Sequence, residues 1–241
     1  MHDHFHSSAV LTWFFDLDNT LHDASHAVFP AINVNMNRTI AQVLGDAGLP
    51  NDSDAVNAVR VGYWQRYGAT LLGMVRHHRI RPDDFLLQAH RFDDLSSMIR
   101  AEGGLAHLLR RLPGRKILLT NAPQRYATHV VQHLGLHRHF AQSITIESMR
   151  VHGQLRPKPS RALLRHLLAK RRLRPSRCVL VDDTLGNLVT AHQLGMRTVW
   201  VTGYGTACAA QAPSRFIKRP GFVDVKVKSV KQLSGQLRRL R

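Results

Sequence analysis

The sequence predicts an α/β fold with a doubly wound, mainly parallel sheet and an all-α helical cap inserted after the first strand. Short apolar segments alternate with helical patterns along most of the 241 residues, which is typical of a parallel sheet covered by helices. A stretch from about residue 24 to residue 100 carries helical patterns only, soon after the first apolar segment. These two observations separate a sheet-containing core from a helical insertion.

The predicted strands are short, continuous apolar runs that contain β-branched or large side chains. Four runs indicate strands buried on both faces, and two more are weaker candidates. The four are residues 10–15, 116–119, 178–181 and 198–202, and the weaker ones are residues 143–146 and 222–228. The last run alternates apolar and charged side chains, which is typical of an edge strand.

The predicted helices fall into a core group and an insertion group. The core group is 104–112, 124–134, 160–173 and 186–194, and the insertion group is 28–45, 52–66, 71–78 and 82–90. We therefore expect a discontinuous core of residues 8–22 and 101–241 and a helical cap of residues 23–100. Because ligands bind at the carboxyl ends of the strands in open α/β folds, we expect the cap to lie over that edge.

The chain is strongly basic, since 34 Lys and Arg residues against 16 Asp and Glu residues give a net charge of +18. This excess favours anionic partners, which are small phosphorylated molecules, nucleic acid or a membrane surface. A genome rich in G and C would produce the same bias, because 27 of the basic residues are Arg. The apolar runs are too short to span a membrane, and the first residues, including His2, His4 and His6, do not form a secretory signal. We expect a cytoplasmic protein without a membrane partner.

Two carboxylates, Asp16 and Asp18, directly follow the first predicted strand. Alternation in an extended segment directs both side chains to the same side. Two like charges held together are costly unless they share a proton or a cation, and Mg²⁺ prefers such oxygen ligands. An ordinary turn in which Asp18 caps the next helix explains this pair equally well when it is considered alone.

Polar residues also follow the later strands or precede helices. Thr120 and Asn121 follow the second strand, Lys158 lies in a proline-flanked loop before a helix, and Asp182 and Asp183 follow another buried strand. A turn cap or a surface lysine explains each of them singly. A second acidic pair at a strand end is harder to explain in this way, because the combined carboxylates would repel one another without a metal. The set as a whole indicates a site for an anionic substrate and Mg²⁺.

The order of these motifs resembles that of the haloacid dehalogenase-like phosphohydrolases over about residues 13–202. Within that family, the chain is most similar to the pyrimidine 5′-nucleotidases of bacterial and yeast type. The phrases that support this are FDLDNTL at 15–21, YGATLLG at 67–73, LPGRK at 112–116 and TN at 120–121. The phrase at 67–73 is the most specific to the subfamily, whereas the first is shared widely.

The resemblance implies a catalytic role for each motif. Asp16 would be the nucleophile that forms an aspartyl phosphate, and Asp18 would be the general acid and base. Thr120, Asn121 and Lys158 would bind the phosphoryl oxygens.

The resemblance also implies a Mg²⁺ cofactor. Its ligands would be Asp16, the backbone carbonyl of Asp18, and Asp183. Asp182 would bind the metal directly or hold a neighbouring ligand, and the sequence leaves both possibilities open. Dehalogenase chemistry is disfavoured, since it needs neither a metal nor a second acid.

The expected substrate is a pyrimidine nucleoside 5′-monophosphate such as UMP or CMP. Tyr67, Thr70 and His90 are candidate cap contacts, although a packing role for Tyr67, a capping role for Thr70 and a solvated position for His90 explain them better. A phosphatase for another small phosphate ester, or a sugar phosphate mutase, is the alternative within the same fold. A nucleic-acid-binding protein ranks last, because the sequence shows no helix-turn-helix spacing and only 7% aromatic residues.

Overall fold

The structure is a computed structural model that describes residues 11–204 and 218–240, and its main feature is a six-stranded sheet with parallel pairings throughout. The strands in chain order are β1 (Thr12–Phe15), β2 (Arg115–Leu119), β3 (Gln142–Ile144), β4 (Arg150–Val151), β5 (Gln154–Leu155), β6 (Cys178–Asp182), β7 (Arg197–Val201) and β8 (Val225–Val227). Their order across the sheet is β3-β2-β1-β6-β7-β8, so the chain winds outward from β1 in both directions. The predicted doubly wound parallel sheet is confirmed.

Each predicted strand overlaps an observed one. The edge strand β8 buries Val225 and Val227 and exposes Lys226, as its alternating pattern predicts. The sequence does not predict the separate antiparallel hairpin of β4 and β5, because strands of two residues are too short to show a period. Residues 8–10, 205–217 and 241 of the predicted core, together with His2, His4 and His6, lie outside the described residues.

The insertion, residues 23–100, forms helices and no strand. The helices are α1 (Val28–Asp46), α2 (Ser53–Tyr67), α3 (Thr70–His78), α4 (Pro82–Ala89) and α5 (Leu95–Met98). The first four match predicted helices, whereas the four-residue α5 is not predicted. Buried side chains of α1 to α4, among them Ile40, Leu44, Met74 and Phe85, form an apolar cluster that also includes Ile146 of the core. The helices of the insertion therefore pack against one another and against the core.

The remaining helices cover the two faces of the sheet. They are α6 (Leu105–Arg111), α7 (Gln124–His133), α8 (Arg161–Lys170) and α9 (Leu185–Gln193). Trp13 and Phe15 of β1 belong to the cluster that includes α6 and α7, whereas Phe14 belongs to the cluster with α8 and α9. Burial on both faces explains why the core strands are continuously apolar. Among the described residues, no helix combines the length and apolarity that a membrane crossing requires.

Candidate active site

The carboxyl edge of the sheet brings the predicted polar residues together. Asp16 follows β1 directly, and its backbone N–H donates to the carbonyl of Val181 in the neighbouring β6 at 2.9 Å. Asp182 is the last residue of β6. Thr120 follows β2, and its N–H donates to the carbonyl of Ile144 at 3.0 Å. The parallel register thus places these residues at one edge.

Lys158 lies between two of the carboxylates. Its Nζ is 2.6 Å from Oδ1 of Asp16 and 2.8 Å from Oδ2 of Asp182. The lysine side chain is only 4% exposed. Burial by itself would lower the pKa of Lys158, but the attraction of Asp16 and Asp182 raises it overall, so the ammonium group stays charged.

Asn121 holds the loop that carries this lysine. The backbone N–H of Lys158 donates to Oδ1 of Asn121 at 2.9 Å, and Nδ2 of Asn121 donates to the carbonyl of Lys158 at 3.0 Å. The side chain of Asn121, predicted to bind phosphate, is therefore engaged in positioning Lys158. Thr120 is buried, and its Oγ accepts a hydrogen bond from the N–H of Ala122 at 3.1 Å, which leaves its own proton to donate.

The two carboxylates after β6 have different surroundings. Asp182 is fully buried, and its Oδ1 accepts from the N–H of Thr184 at 2.9 Å and from Nδ2 of Asn187 at 2.8 Å. Asp183 is half-buried, and its Oδ1 accepts from the hydroxyl of Thr184 at 3.0 Å. Asp182 therefore has both oxygens in hydrogen bonds within the protein, whereas Asp183 has more capacity left for another ligand.

The carboxylates of Asp16, Asp182 and Asp183 fit a metal ion by position and charge. Each offers an oxygen within 4.8 Å of the others. Burial raises the pKa of Asp16 well above its usual range, with Asp182 and Asp183 raising it further against the opposing effect of Lys158. Burial and then Asp182 raise the pKa of Asp183 to about 7. A single ammonium group does not offset this crowding, so a hard divalent cation would suit the oxygen donors.

Asp18 lies in a hydrogen-bond cluster of its own. Its Oδ1 accepts from the hydroxyl of Tyr126 at 2.6 Å and lies 2.8 Å from Nε2 of His22. Burial by itself would raise the pKa of Asp18, but the hydrogen bonds with His22 and Tyr126 lower it overall. The sequence pattern indicates neither partner: Tyr126 has the spacing of an apolar-face residue in the predicted helix 124–134, and His22 follows the acidic motif without a recognisable pattern.

The phrase at 67–73 lies against the loop that carries Lys158. A Cβ built on Gly68 would be 3.6 Å from Cδ of Pro159. Tyr67 is half-buried, and its hydroxyl lies 2.6 Å from Nε2 of His77. Thr70 is buried, and its hydroxyl donates to the carbonyl of Arg60 at 2.9 Å, which ties α3 to α2. Gly68 thus lies next to the lysine loop, while the hydroxyls of Tyr67 and Thr70 are both used in contacts within the insertion.

A cavity of about 690 Å³ lies beside α4 and the first turn of α7. Its lining includes His90, Phe92 and Tyr126, and the His90 and Tyr126 rings are 5.4 Å apart. The sequence allows His90 to be either a cap contact or a solvated helix residue. In the structure it is half-buried beside this cavity, so it is not a solvated residue. Neither Asp16 nor Lys158 lines the cavity. Tyr126 lines it and also donates a hydrogen bond to Asp18, so it joins the cavity to the acidic site.

Comparison with known proteins identifies a family and a fold for the chain. A family model described as haloacid dehalogenase-like hydrolase matches residues 11–195. A HAD phosphatase from Thermococcus onnurineus is 15% identical with a TM-score of 0.60, covering 94% of this chain and 97% of that one. Magnesium-bound YfnB from Bacillus subtilis is 13% identical with a TM-score of 0.57, covering 95% and 99%.

A structure with a different chemistry has the same fold. L-2-haloacid dehalogenase from Xanthobacter autotrophicus, with chloropropionic acid covalently bound, is 15% identical with a TM-score of 0.54. The alignment covers 95% of this chain and 98% of that one. At these identities the likeness concerns the fold alone, so the chemistry has to be argued from the site.

Proposed function

The chain belongs to the haloacid dehalogenase-like hydrolases, and we propose that it is a Mg²⁺-dependent phosphomonoesterase of that family. The observation that carries the proposal is the buried ammonium group of Lys158 between Asp16 and Asp182, with Asp183 beside them. This arrangement combines a nucleophile, a fixed positive charge and metal-binding oxygens. A dehalogenase would need the nucleophile but neither a second acid nor the extra carboxylates, so the full set favours phosphoryl transfer.

The proposed reaction has two steps. In the first, a carboxylate oxygen of Asp16 attacks phosphorus, the ester P–O bond breaks, and the leaving oxygen takes the proton that Asp18 carries at the start of the cycle. In the second, Asp18 takes a proton from a water molecule that attacks the aspartyl phosphate, which releases phosphate and restores Asp16. Lys158 and Thr120 would hold the non-bridging oxygens of the phosphoryl group. The backbone N–H of Asn121, the residue after Thr120, would donate to the same oxygens.

Mg²⁺ is the proposed cofactor. Asp16, Asp183 and the backbone carbonyl of Asp18 would hold it, because the oxygens of Asp182 already accept three hydrogen bonds from Lys158, Thr184 and Asn187. That occupancy supports an indirect role for Asp182. When bound, Mg²⁺ would neutralise charge on the transferring phosphoryl group.

The proposed substrate is a pyrimidine nucleoside 5′-monophosphate, hydrolysed in the cytoplasm. Residues 23–100 would act as a cap domain on a core of residues 8–22 and 101–241. The position of Gly68 against Pro159 supports this, since it brings the subfamily phrase next to the lysine loop. A phosphatase or mutase for another small phosphate ester, such as a sugar phosphate, is the alternative.

A substrate screen tests the proposal. Purified protein is incubated with phosphorylated metabolites and with p-nitrophenyl phosphate, in Mg²⁺ and in excess chelator, with 2-chloropropionate as a separate arm. We expect phosphate release that the chelator abolishes without a change in circular dichroism. Full activity in chelator would exclude the metal requirement, and halide release without phosphatase activity would assign the chain to the dehalogenases.

A further inference from the structure

We propose that His22 and Tyr126 are positioning residues that hold Asp18 in the orientation that proton transfer requires. Asp18 is the general acid and base, and the three residues act as one unit. The inference rests on the proposed phosphatase function. It extends that function to two residues that the motif pattern does not include, one in the β1–α1 connection and one in the first turn of α7.

The geometry directs both partners at one oxygen. Oδ1 of Asp18 is 2.6 Å from the Tyr126 hydroxyl and 2.8 Å from Nε2 of His22, and these two partners are themselves 3.1 Å apart. Among the described residues, Oδ2 of Asp18 has no hydrogen-bond donor. One oxygen is therefore anchored and the other remains available to a substrate oxygen or a water molecule.

The burial of His22 indicates which of its two ring nitrogens carries the proton. His22 is fully buried, and its Nδ1 has no hydrogen-bond partner among the described residues. A proton on Nδ1 would leave a buried donor unpaired and would aim the Nε2 lone pair at a carboxylate oxygen, both of which are unfavourable. The proton therefore belongs on Nε2, from which it is donated to Asp18.

Each partner is in turn held by its surroundings. Tyr126 is 3% exposed, and its ring lies 5.4 Å from that of His90 and 5.9 Å from that of Phe92. Two buried donors from different parts of the chain restrict the rotation of Asp18, whose side chain is 16% exposed. Fixing the reactive oxygen in advance is worth a large factor, because a displacement of about 1 Å in a catalytic group costs about 100-fold in rate.

The leaving-group dependence of kcat/KM separates this role from a general structural one. An alkyl phosphate such as glycerol 2-phosphate needs a proton on its leaving oxygen, whereas p-nitrophenolate leaves without one. We expect Tyr126→Phe to lower kcat/KM by about 10- to 100-fold for the alkyl ester and by less than about 3-fold for the nitrophenyl ester. Equal losses for both esters would overturn the proposal.

The histidine is tested by rescue. His22→Gln keeps an N–H donor at about the reach of Nε2, whereas His22→Leu removes it. We expect the glutamine variant to retain most of the alkyl-ester activity that the leucine variant loses, and equal loss in both would contradict the proposal. Tyr63→Phe is the matched control, since it also removes a hydroxyl that lies 2.9 Å from a histidine, Nε2 of His78, within the insertion. It should leave the ratio of the two esters unchanged.

A spectroscopic measurement keeps the test independent of turnover. Two-bond ¹H–¹⁵N correlations of wild-type protein, assigned by comparison with His22→Gln, report which ring nitrogen of His22 is protonated. A proton on Nε2 supports the proposed unit, and a proton on Nδ1 alone rejects it. If wild-type protein hydrolyses neither ester, the phosphatase proposal fails, and this measurement still decides the hydrogen-bond arrangement.

Discussion

Asp16 and its neighbours show how a buried acidic group is made compatible with folding. Asp16 is only 6% exposed and has Asp182 and Asp183 nearby, with Lys158 as its ion-pair partner. Removing one partner of a buried ion pair is strongly destabilising, because the other charge is left uncompensated. Here two carboxylates share one ammonium group, so loss of a carboxylate should be tolerated much better than loss of Lys158.

Replacement of Asp16, the proposed nucleophile, gives the first prediction. Asp16→Asn should lower kcat by several orders of magnitude, because the attacking carboxylate is lost. The fold should survive, since the change removes one of several crowded negative charges while Lys158 keeps Asp182. Phosphate release and thermal unfolding measure the two effects, and trapping of wild-type protein by beryllofluoride serves as the positive control. Substantial turnover by a clean preparation of Asp16→Asn would contradict the assignment.

The raised pKa of Asp183 gives the second prediction, for protein kept free of metal. Its pKa of about 7 in the folded state lies above its unfolded value, so the folded protein binds more protons between about pH 4 and pH 7. Stability should therefore fall as the pH rises through this range. Asp183→Asn should weaken this fall and raise the melting temperature at pH 8. Mg²⁺ should stabilise wild-type protein more than the variant.

Differential scanning fluorimetry across this pH range, in chelator and in Mg²⁺, measures both effects of Asp183. Thr184→Val is a useful comparison, because it removes the hydroxyl that Asp183 accepts from but keeps the carboxylate. A melting temperature for metal-free Asp183→Asn that is no higher than that of wild-type protein at pH 8 would show that Asp183 is not crowded as described.

At the scale of elements, the contact between α2 and α3 depends on Gly73, which has no side chain. A Cβ built at Gly73 would lie 2.1 Å from Cγ of Tyr63, so α3 packs directly on that ring. Gly62 lies in α2 as well, but a Cβ built there meets nothing within 4 Å. The two glycines therefore form a natural pair for comparison.

The third prediction is that these glycines respond oppositely to alanine. Gly73→Ala should destabilise the protein by about 1–3 kcal/mol, because the added methyl group overpacks the helix contact. Gly62→Ala should stabilise it by about 0.5–1 kcal/mol, because alanine loses less conformational freedom in a helix. Denaturant unfolding of the two variants measures both values. A neutral Gly73→Ala variant would mean that α3 has room to move away from Tyr63.

At the scale of the whole molecule, the proposed function predicts that substrate selectivity depends on how the helical insertion meets the core. The residues that would bind phosphate belong to the core and do not distinguish bases. Tyr67 ends α2, and Gly68 follows it next to Pro159, so under the proposed function this part of the insertion would meet the rest of a substrate. Base preference should therefore be separable from phosphoryl chemistry.

The fourth prediction follows from that separation. Tyr67→Ala should change the ratio of kcat/KM for UMP over AMP, whereas hydrolysis of p-nitrophenyl phosphate should change little. A polar group left unpaired by a poorly fitting base costs about 1–3 kcal/mol, which sets the scale of the change. Thr70→Ser, which keeps the hydrogen bond to Arg60, is the control for helix packing. Wild-type protein that hydrolyses UMP and AMP equally would remove the nucleotidase proposal while leaving a phosphatase possible.

The sequence by itself determined the order of strands and helices and the chemistry at the strand ends. Apolar runs and helical periods are local signals, so β1, β2, β6 and β7 were all predicted close to their observed bounds. Parallel strands place their carboxyl ends at one edge, and this alone indicated that residues such as Asp16 and Asp182 would meet.

Only the tertiary structure decided which side chains touch. Asn121 and Lys158 are 37 residues apart in the sequence, and Asp18 and Tyr126 are 108 apart, so no periodic signal indicates that they form hydrogen bonds. The hydrogen bond from the Thr70 hydroxyl to the carbonyl of Arg60 likewise depends on how α3 packs on α2. A hydrogen bond requires its two heavy atoms within about 3.2 Å and well aligned, and that precision arises from the packing of whole elements, which a pattern of residue types does not encode.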